Sequence, residues 1–420
     1  MRLRYNVSAE NNHRCKKNIL LVSHEMSYTG ACHSLLRICK VLKGKYNLTV
    51  WTKKQGLFEQ EFAAQGIKVE LVDKNNAVKL LNEAGKTFSL AICNTIVTDD
   101  IYNILRLKMP TIWYIREAQN LDYFFQRDSS KKDTLRWATG VYSVSEYAKR
   151  YIAKFCKHKV RVLHNAVEDF NDGYKKEYLK GGKLHILMLG TFNPRKAFGV
   201  AVEAIKMLPK NYQEQVDLTI AGEMFKTDEY CYQPVLDDMA KLPHARHVGL
   251  ITDLKVKADA YKNADIVIVP STDESCSLVV LEAMMMGVPV IVSNNVGAKY
   301  LVDKSNGWIF KTGDTGALAK ILRKILENKA DIAAMGKAAR QKYLQSATMN
   351  VYEKNILKMA RDNIGNSKLI GNAAAQFLHT LPRRLFNVSA EKSGKGKWYV
   401  KVNVLGLRFK FKKSGAAKNV

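Results

Sequence analysis

Paired cysteines, long apolar runs and an apolar leader are all missing from this sequence. The seven cysteines are scattered, odd in number and never spaced as C-x-x-C, which argues against a disulfide framework or a zinc site and fits a reducing cytoplasm. No segment of roughly 20 apolar residues occurs, so we expect no membrane-spanning helix. Residues 1–17 are polar and basic without an apolar core of signal-peptide length, so export is not indicated.

Acidic residues are also scarce relative to basic ones. The chain has 67 Lys and Arg against 39 Asp and Glu, a formal net charge of +28, which predicts an anionic partner such as a nucleotide, a nucleic acid or an acidic membrane surface. No RRM, KH or zinc pattern accompanies this charge, so we do not expect nucleic acid to be that partner. At 420 residues the chain is long enough for two domains, each with its own core.

Short β-branched runs alternate with helix-length segments through most of the chain. The first series has its runs at 18–23, 47–52, 67–72, 89–94, 111–115, 140–145 and 160–165. The second series has its runs at 184–190, 216–223, 247–251, 265–270, 290–292 and 307–310. This order predicts an α/β protein with two Rossmann-like domains that face each other across a cleft.

The domain boundaries are expected where this alternation stops. Residues 169–183 lose the apolar period and gain Gly, Asp and Lys, which is typical of a linker. We therefore predict a flexible N-terminal extension (1–17), an N-terminal domain (18–168), the linker (169–183), a C-terminal domain (184–345), a helix packing back toward the N-terminal domain (346–364) and a basic tail (365–420).

The tail has a charge pattern of its own. Between residues 383 and 420 there are 11 Lys or Arg and a single acidic residue, Glu391. Apolar and basic residues alternate from Trp398 onward with a phase shift after 405–406, which predicts a two-stranded hairpin or a bulged strand with one apolar and one basic face. Such a surface favours binding to an anionic bilayer, and a solvated basic tail is the alternative.

The segment 264–294 combines a strand, loop, helix, strand pattern with two acidic residues. Glu274 lies in the predicted loop, and Glu282 lies among the apolar residues of the predicted helix. A carboxylate in that setting needs a partner, which the hydroxyls of a sugar or a ribose would supply. In a parallel sheet, ligands bind at the carboxyl ends of the strands, where a helix N-terminus attracts anions. A cap acid followed by a surface acid is the simpler alternative.

A second candidate for close approach by a ligand follows the first strand. Gly30 opens a predicted helix after the loop that follows residues 18–23, and a glycine there lets a ligand come near the backbone. The pattern is not G-x-G-x-x-G, so a dinucleotide fingerprint is absent. A plain tight turn at Gly30 is the alternative.

The motif E-S-C-S-L-V-V-L-E-A-M-M-M-G-V-P-V-I at 274–291 closely resembles the E-x7-E signature of family 4 of the retaining glycosyltransferases, which have the GT-B architecture. The resemblance extends from Asn18 to about Lys354. It implies that the N-terminal domain lies on the acceptor side and that the C-terminal domain binds the nucleotide sugar. It implies a metal-independent, retaining and hexosyltransferase-like transfer of a sugar from a nucleoside diphosphate sugar to an acceptor hydroxyl, without a further cofactor. No D-x-D motif is positioned to hold a divalent ion, which fits a site without metal.

The resemblance also implies a role for each residue of a donor site. Glu274 would contact hydroxyls of the donor sugar and Lys196 the departing phosphate, so these two are the predicted catalytic residues. The amides of Ser277 and Leu278 would bind the diphosphate, and Glu282 would bind the ribose hydroxyls. The complete predicted donor-binding set is Gly30, Gly190, Arg195, Lys196, Glu274, Ser275, Cys276, Ser277, Leu278 and Glu282.

Some positions depart from the family pattern. Gly190 is followed by Thr191 where the family often has arginine, so one phosphate-binding cation is missing or is replaced by Arg195. Arg116 and Glu117 stand where many members have a His-Glu dipeptide near the donor sugar, which puts a catalytic histidine there in doubt. We assign this dipeptide to the acceptor side.

These observations predict an enzyme of envelope polysaccharide or glycolipid biosynthesis that is cytoplasmic and peripheral on the inner face of the cell membrane. Its partners would be a nucleotide sugar, a glycan or lipid-linked acceptor and, through residues 383–420, an anionic membrane surface. A catalytically inactive GT-B protein that binds glycan or acts as a scaffold is the alternative, motivated by Arg116. The sequence leaves the donor sugar, the base and the acceptor open.

Overall fold

The computed structural model describes residues 16–224, 232–327 and 331–371, together with strands of the tail at 386–392, 398–404 and 407–412. The strands of the first domain are β1 (Asn18–Ser23), β2 (Asn47–Thr52), β3 (Lys68–Leu71), β4 (Leu90–Asn94), β5 (Thr111–Ile115), β6 (Val141–Ser143) and β7 (Arg161–Val162). Its helices are α1 (Gly30–Leu42), α2 (Glu59–Ala63), α3 (Ala77–Thr87), α4 (Asp99–Leu105), α5 (Leu121–Arg127), α6 (Ser129–Arg136) and α7 (Glu146–Ala153). The strands form a parallel sheet in the order β3-β2-β1-β4-β5-β6-β7.

The second domain repeats this architecture. Its strands are β8 (Leu184–Leu189), β9 (Val216–Ala221), β10 (Ala245–His247), β11 (Ile266–Val269), β12 (Val290–Ser293) and β13 (Gly307–Phe310), in the parallel order β10-β9-β8-β11-β12-β13. Its helices are α8 (Phe198–Lys206), α9 (Lys210–Gln213), α10 (Gln233–Met239), α11 (Leu254–Asn263), α12 (Leu278–Met285), α13 (Thr315–Glu327) and α14 (Asp331–Ser346). The predicted α/β class with two Rossmann-like domains is confirmed.

Successive side chains of the central strand β1 are buried on opposite faces of its sheet. In β1, Ile19 and Leu21 belong to one buried cluster, whereas Leu20 and Val22 belong to another. All of these side chains are fully buried. Successive side chains of a strand point to opposite faces, so a continuous apolar run of this kind needs helices on both sides of the sheet.

Two predicted strands are shorter in the structure or displaced along the chain. The run predicted at 247–251 forms β10 at Ala245–His247. Gly249 has φ of +72°, a left-handed conformation that extended strands do not contain. The run predicted at 160–165 forms only β7, at Arg161–Val162.

The last long helix of the chain returns to the first domain. Helix α15 (Met349–Asn363) follows α14, and a short helix α16 (Lys368–Gly371) comes after it. Tyr352, Ile356 and Met359 of α15 are buried in the cluster that also contains the apolar face of α1. The chain therefore crosses between the domains twice, once through the segment after β7 and once before α15.

The segment after β7 is held against α14 of the second domain. Nη1 and Nη2 of Arg340 donate to the carboxylate of Asp169 at 3.0 and 2.7 Å, a two-pronged ion pair that fixes both side chains. The hydroxyl of Tyr343 donates to the carbonyl of Val167 at 3.1 Å. These contacts limit how freely one domain turns relative to the other.

The tail forms an antiparallel sheet of β14 (Phe386–Lys392), β15 (Trp398–Val404) and β16 (Leu407–Lys412), in the order β14-β15-β16. The predicted hairpin is confirmed by the pairing of β15 with β16. Strand β14 was not predicted, although Phe386, Val388 and Ala390 alternate with polar residues in its segment FNVSAEK. The predicted N-terminal extension lies almost entirely outside the described residues. Within the described residues, no helix has both the length and the apolar character needed to cross a membrane.

Candidate active site

Loops from both sheets surround one cavity of about 520 Å³. In the first domain its walls come from the chain that follows β1, β4 and β5, and in the second from the chain that follows β8 and β11. These are the carboxyl ends of parallel strands, where open α/β sheets bind their ligands. The cavity brings together most of the predicted site residues: Gly30, Arg116, Glu117, Arg195, Glu274, Ser275, Cys276 and Leu278.

Lys196 and Glu274 form a buried ion pair at the edge of this cavity. Glu274 is 8% exposed, and Nζ of Lys196 donates to its carboxylate. Lys196 ends a 3-10 turn whose first residue is preceded by Asn193, and the Asn193 side chain accepts a hydrogen bond from the Lys196 amide at 3.1 Å. A Cβ on Gly190 would lie 3.2 Å from Cε of Lys196, so the glycine leaves room for the lysine side chain. The predicted phosphate-binding and sugar-binding residues are therefore paired with each other.

The loop that carries Glu274 is fixed by its backbone. The amide of Glu274 donates to the carbonyl of Asn295 at 3.1 Å, and the Glu274 carbonyl accepts from the amide of Gly297 at 2.6 Å. A Cβ on Gly297 would lie only 1.9 Å from the carbonyl oxygen of Ser275. The chain after β12 thus holds the loop closely from one side, and only a glycine permits this approach.

The N-terminus of α12 meets this cavity without a side-chain cap. Ser277 is the N-cap residue, and its side chain makes no capping hydrogen bond. Oγ of Ser277 is buried and has no hydrogen-bond partner among the described residues. The first N–H groups of a helix lack intrahelical acceptors and carry the positive end of the helix dipole. An anion bound next to the amide of Leu278 would find these groups available.

Glu282 has partners that the sequence did not indicate. It is 9% exposed, and its carboxylate accepts hydrogen bonds from Nζ of Lys257 at 2.5 Å and from the hydroxyl of Tyr261 at 2.8 Å. Both donors lie on α11, one helical turn apart. The protein itself therefore supplies two partners for this carboxylate, in addition to the sugar or ribose hydroxyls that the sequence predicts. Glu282 lines a neighbouring cavity of about 220 Å³, together with Arg37 and Lys257.

Asp273 connects the two domains. Its carboxylate accepts hydrogen bonds from the amides of Gln119 and Asn120 at 3.3 and 3.1 Å and from the hydroxyl of Tyr147 at 3.0 Å. All three donors belong to the first domain, whereas Asp273 lies in the loop after β11. Burial and the neighbouring Asp273 carboxylate raise the pKa of Tyr147, so this phenol stays protonated and able to donate.

A second contact between the domains lies beside the first. Oγ of Ser145 donates to the carbonyl of Ser275 at 2.6 Å, and the same hydroxyl accepts from the amide of Ala148 as the N-cap of α7. Sequence reasoning missed both Asp273 and Ser145. The available signal for Asp273 was its position beside Glu274 at the carboxyl end of a strand.

Arg116 and Glu117 are anchored in different ways. Nε of Arg116 donates to Oδ1 of Asn94 at 2.6 Å, and its guanidinium lies 4.3 Å from the centre of the Tyr114 ring. The carboxylate of Glu117 accepts from the amides of Ile96 and Arg116 at 3.1 and 2.9 Å. Burial raises the pKa of Glu117, and these backbone hydrogen bonds oppose that rise. Glu117 therefore serves to hold the loop after β5.

The remaining predicted residues have simple surroundings. Burial raises the pKa of the Cys276 thiol to about 11, which makes it a poor nucleophile at neutral pH. Nη1 of Arg195 donates to the carbonyl of Asp273 at 3.3 Å, so Arg195 helps to fix the loop that carries Glu274. A Cβ on Gly30 would meet no atom within 4 Å, and packing does not demand glycine there. Among the described residues no cluster of three His, Cys, Asp or Glu is positioned to hold a metal ion.

Comparison with known protein families shows to which family the chain belongs. The model of glycosyl-transferase family 4 matches residues 15–171, and the model of glycosyl transferases group 1 matches residues 170–342. The chain belongs to the family 4 glycosyltransferases. The two matches meet between β7 and β8, so each of them covers one Rossmann-like domain of this family 4 chain.

Curated relatives match this family 4 protein over part of their length. The amylovoran biosynthesis glycosyltransferase AmsK of Erwinia amylovora is 29% identical over 206 residues, which are 46% of this chain and 48% of that protein. The phosphatidyl-myo-inositol mannosyltransferase of Mycobacterium leprae is 26% identical over 287 residues, 61% of this chain and 75% of that protein. The chain thus spans about half the length of the first of these relatives.

Solved structures share the fold at low sequence identity. HepE of Anabaena, crystallised with UDP, has a TM-score of 0.68 at 18% identity and covers 82% of this chain and 100% of its own. The lipopolysaccharide outer core galactosyltransferase WaaB in its apo form has a TM-score of 0.67 at 14% identity, over 82% of this chain and 99% of its own. These neighbours are glycosyltransferases, and they confirm the GT-B fold.

Replacing Asp273 with alanine tests the contact between the domains. The variant leaves two backbone amides and a phenol without their acceptor, and a hydrogen bond to a charged group contributes about 1.5 to 3 kcal/mol. We expect faster amide hydrogen exchange in a peptide spanning residues 117–125, measured by mass spectrometry. Asp133→Ala on α6, an exposed aspartate, is the matched control and should leave that peptide unchanged. Equal exchange in wild type and Asp273→Ala would show that the cleft does not depend on this carboxylate.

Proposed function

We propose that this protein is a retaining glycosyltransferase that moves a sugar from a nucleoside diphosphate sugar to an acceptor hydroxyl, in envelope polysaccharide or glycolipid biosynthesis. The observation that carries the proposal is the Lys196–Glu274 ion pair beside the uncapped N-terminus of α12 in the interdomain cleft. A cation and open helix amides are the groups that a leaving diphosphate needs. Membership of family 4 and the UDP complex of HepE support this assignment.

The diphosphate would bind at Lys196 and the first amides of α12. The helix dipole contributes about 0.3 to 1 kcal/mol, or roughly 2 kcal/mol where partly buried, and a charged hydrogen bond from Lys196 adds about 1.5 to 3 kcal/mol. When Lys196 moves from Glu274 to the phosphate, the Glu274 carboxylate becomes free to accept from the hydroxyls of the sugar. The ion pair thus keeps both side chains in position for the donor.

The nucleoside would occupy the smaller cavity, where the ribose hydroxyls reach Glu282. Lys257 and Tyr261 already hold the Glu282 carboxylate in one orientation. A carboxylate has about four lone-pair sites, so it can accept from ribose hydroxyls in addition to these two donors. We propose that no metal ion takes part, since Lys196 and the helix amides supply the positive charge.

Retention would follow from attack on the face that the diphosphate leaves. The bond between the anomeric carbon and the phosphate oxygen breaks while the acceptor oxygen bonds to the same face, and the acceptor proton passes to the leaving phosphate oxygen. Glu117 is engaged by backbone amides and is not required as a base in this scheme. The acceptor would enter from the first domain, near Arg116.

The basic tail would hold the enzyme on the inner face of the cell membrane. The tail supplies 11 Lys or Arg between residues 383 and 420, and each such residue near an anionic bilayer contributes about 1 kcal/mol. The Mycobacterium leprae relative is by its name a phosphatidyl-myo-inositol mannosyltransferase, which supports a lipid-linked acceptor.

Substitution of the two glutamates tests the donor site. A thermal-shift screen of UDP, GDP and ADP sugars first identifies the donor, since a ligand at 100 times its dissociation constant stabilises the protein by about 2.7 kcal/mol. Glu274→Ala should abolish sugar transfer, and its readout is release of the nucleoside diphosphate from that donor. Glu282→Ala should mainly weaken donor binding, by about 1 to 3 kcal/mol, as measured by calorimetry.

The matched control for these variants is Glu353→Ala, because Glu353 is exposed on α15. It should turn over and bind the donor like the wild type. Wild-type turnover by both Glu274→Ala and Glu282→Ala would contradict the donor site. Failure of every nucleotide sugar to bind the wild type would contradict the proposed function as a whole.

Removal of the tail tests the membrane proposal. Full-length protein should co-sediment with liposomes that contain anionic lipid, and a variant that ends at Gly365 should remain in the supernatant. Because the attraction is electrostatic, binding of the full-length protein should fall as salt concentration rises. Liposomes of neutral lipid are the control. Equal sedimentation of both proteins would remove the tail from membrane binding.

A further inference from the structure

Two arginines of the first domain lie in the cleft with guanidinium nitrogens that have no partner. Arg37 lies on α1 and Arg116 follows β5, and both line the cavity of about 520 Å³. Nη1 of Arg37 and Nη2 of Arg116 are buried and make no hydrogen bond to any part of the chain that the structure describes. A buried polar group without a partner destabilises the protein, and a charged one does so more strongly.

The acidic residues of the cavity are engaged elsewhere. Glu274 is paired with Lys196, and Asp273 accepts from Gln119, Asn120 and Tyr147. Glu117 accepts from the amide of Arg116 in its own loop and from the amide of Ile96 after β4. Oε1 of Glu25, which also lines the cavity, lies 3.4 Å from Nε2 of His24. In these contacts no carboxylate accepts a hydrogen bond from Arg37 or Arg116. An anion from outside the chain would supply an acceptor for the unpaired nitrogen of each arginine.

The two guanidinium groups act on the same surroundings. Burial raises the pKa of Tyr114 and of Tyr352, and for each phenol the charges of Arg37 and Arg116 oppose that rise. The charges of both arginines therefore act on the same two phenols, and the guanidinium of Arg116 lies 4.3 Å from the centre of the Tyr114 ring. Two neighbouring cations repel each other, and a bound anion removes that repulsion.

The local geometry favours an anion with two or more oxygens. Arginine presents a planar fork of donors that fits a carboxylate or a phosphate. Arg116 is held in position by the hydrogen bond from its Nε to Oδ1 of Asn94 at 2.6 Å and by the Tyr114 ring. Its Nη atoms are thus oriented before any ligand arrives, which lowers the entropic cost of binding.

We propose that Arg37 and Arg116 form a receptor for an anionic group of a substrate, either a carboxylate or a phosphate carried by the acceptor or by the transferred sugar. The inference rests on the proposed function and adds the chemical class of one substrate to it. Arg37 also lines the smaller cavity that contains Glu282. The diphosphate of the donor is therefore the competing occupant, and the experiment must separate it from the receptor ligand.

The donor arm compares nucleotide sugars that differ in one carboxylate. Calorimetry measures UDP, UDP-glucose and UDP-glucuronate on wild type, Arg37→Gln and Arg116→Gln, with GDP-mannose and GDP-mannuronate if the protein prefers guanosine. Arg361→Gln is the matched control, since Arg361 is exposed on α15. If the sugar carries the anion, wild type should prefer the acidic donor by about tenfold, and each cleft variant should lose that preference.

The acceptor arm uses protein saturated with UDP, so that the diphosphate position is filled. Glucose 1-phosphate and glucuronate are titrated against glucose, and binding is followed by saturation-transfer NMR. If the acceptor carries the anion, both acidic probes should bind wild type and Arg361→Gln, glucose should not, and both cleft variants should lose the acidic probes. A positive result in either arm supports the receptor and identifies its source.

Two outcomes would overturn the receptor. In one, both cleft variants weaken UDP as much as they weaken every other ligand, which would assign the arginines to the diphosphate. In the other, the nucleotide binds normally but no acidic probe is preferred in either arm. The proposed function would survive both outcomes, because it fails only if no nucleotide binds the wild-type protein.

Discussion

Three buried carboxylates between the end of β11 and the middle of α12 constrain the rest of this structure. Asp273, Glu274 and Glu282 are each less than a tenth exposed, and a buried charge is tolerated only when it is paired and hydrogen-bonded. Each of them finds its partner in a different part of the chain: amides and a phenol of the first domain, Lys196 after β8, and Lys257 with Tyr261 on α11. The hydrogen bonds that these three carboxylates accept therefore determine which segments of the chain meet at the cleft.

The hydrogen bonds of these carboxylates link the arrangement of the two domains to the geometry of the candidate active site. Asp273, in the loop after β11, accepts hydrogen bonds from the loop after β5. The loop after β5 also carries Arg116 and Glu117. Glu274 is next to Asp273 in sequence, so the proposed acceptor side and the proposed donor side meet within two residues. Away from the cleft, the two domains are also joined by helix α15 and by the contacts of Asp169 with Arg340. A change in how the domains meet would therefore be felt directly at the site of transfer.

The sequence predicted the parts of this arrangement that depend on local pattern. The succession of strands along both domains follows from the apolar runs, and Glu274 stands out because an acidic residue at a strand end is followed by an apolar helix. What could not be predicted depends on contacts across the chain. No local pattern relates Lys257 and Tyr261 to Glu282, or Gln119 and Asn120 to Asp273. The burial of a carboxylate was predicted for Glu282, but its partners on α11 were not, because pairing with a neighbouring helix leaves no trace in the spacing of residues.

The unpaired arginines show the opposite situation. Arg116 was noticed as a departure from the family pattern, whereas Arg37 lies inside an ordinary amphipathic helix and carries no sequence signal. Only the structure shows that both line one cavity and that a buried nitrogen on each lacks an acceptor. The carboxylates of Asp273, Glu274 and Glu117 thus have partners, whereas Nη1 of Arg37 and Nη2 of Arg116 have none among the described residues.

The most direct test of the central claim is a crystal structure of the complex with the nucleoside diphosphate sugar that stabilises the protein most. We expect the diphosphate at the amide of Leu278, with Nζ of Lys196 moved from Glu274 to a phosphate oxygen and Glu274 accepting from the sugar. We also expect the ribose hydroxyls at Glu282. A nucleotide bound elsewhere, with the Lys196–Glu274 ion pair intact, would contradict the proposed donor site.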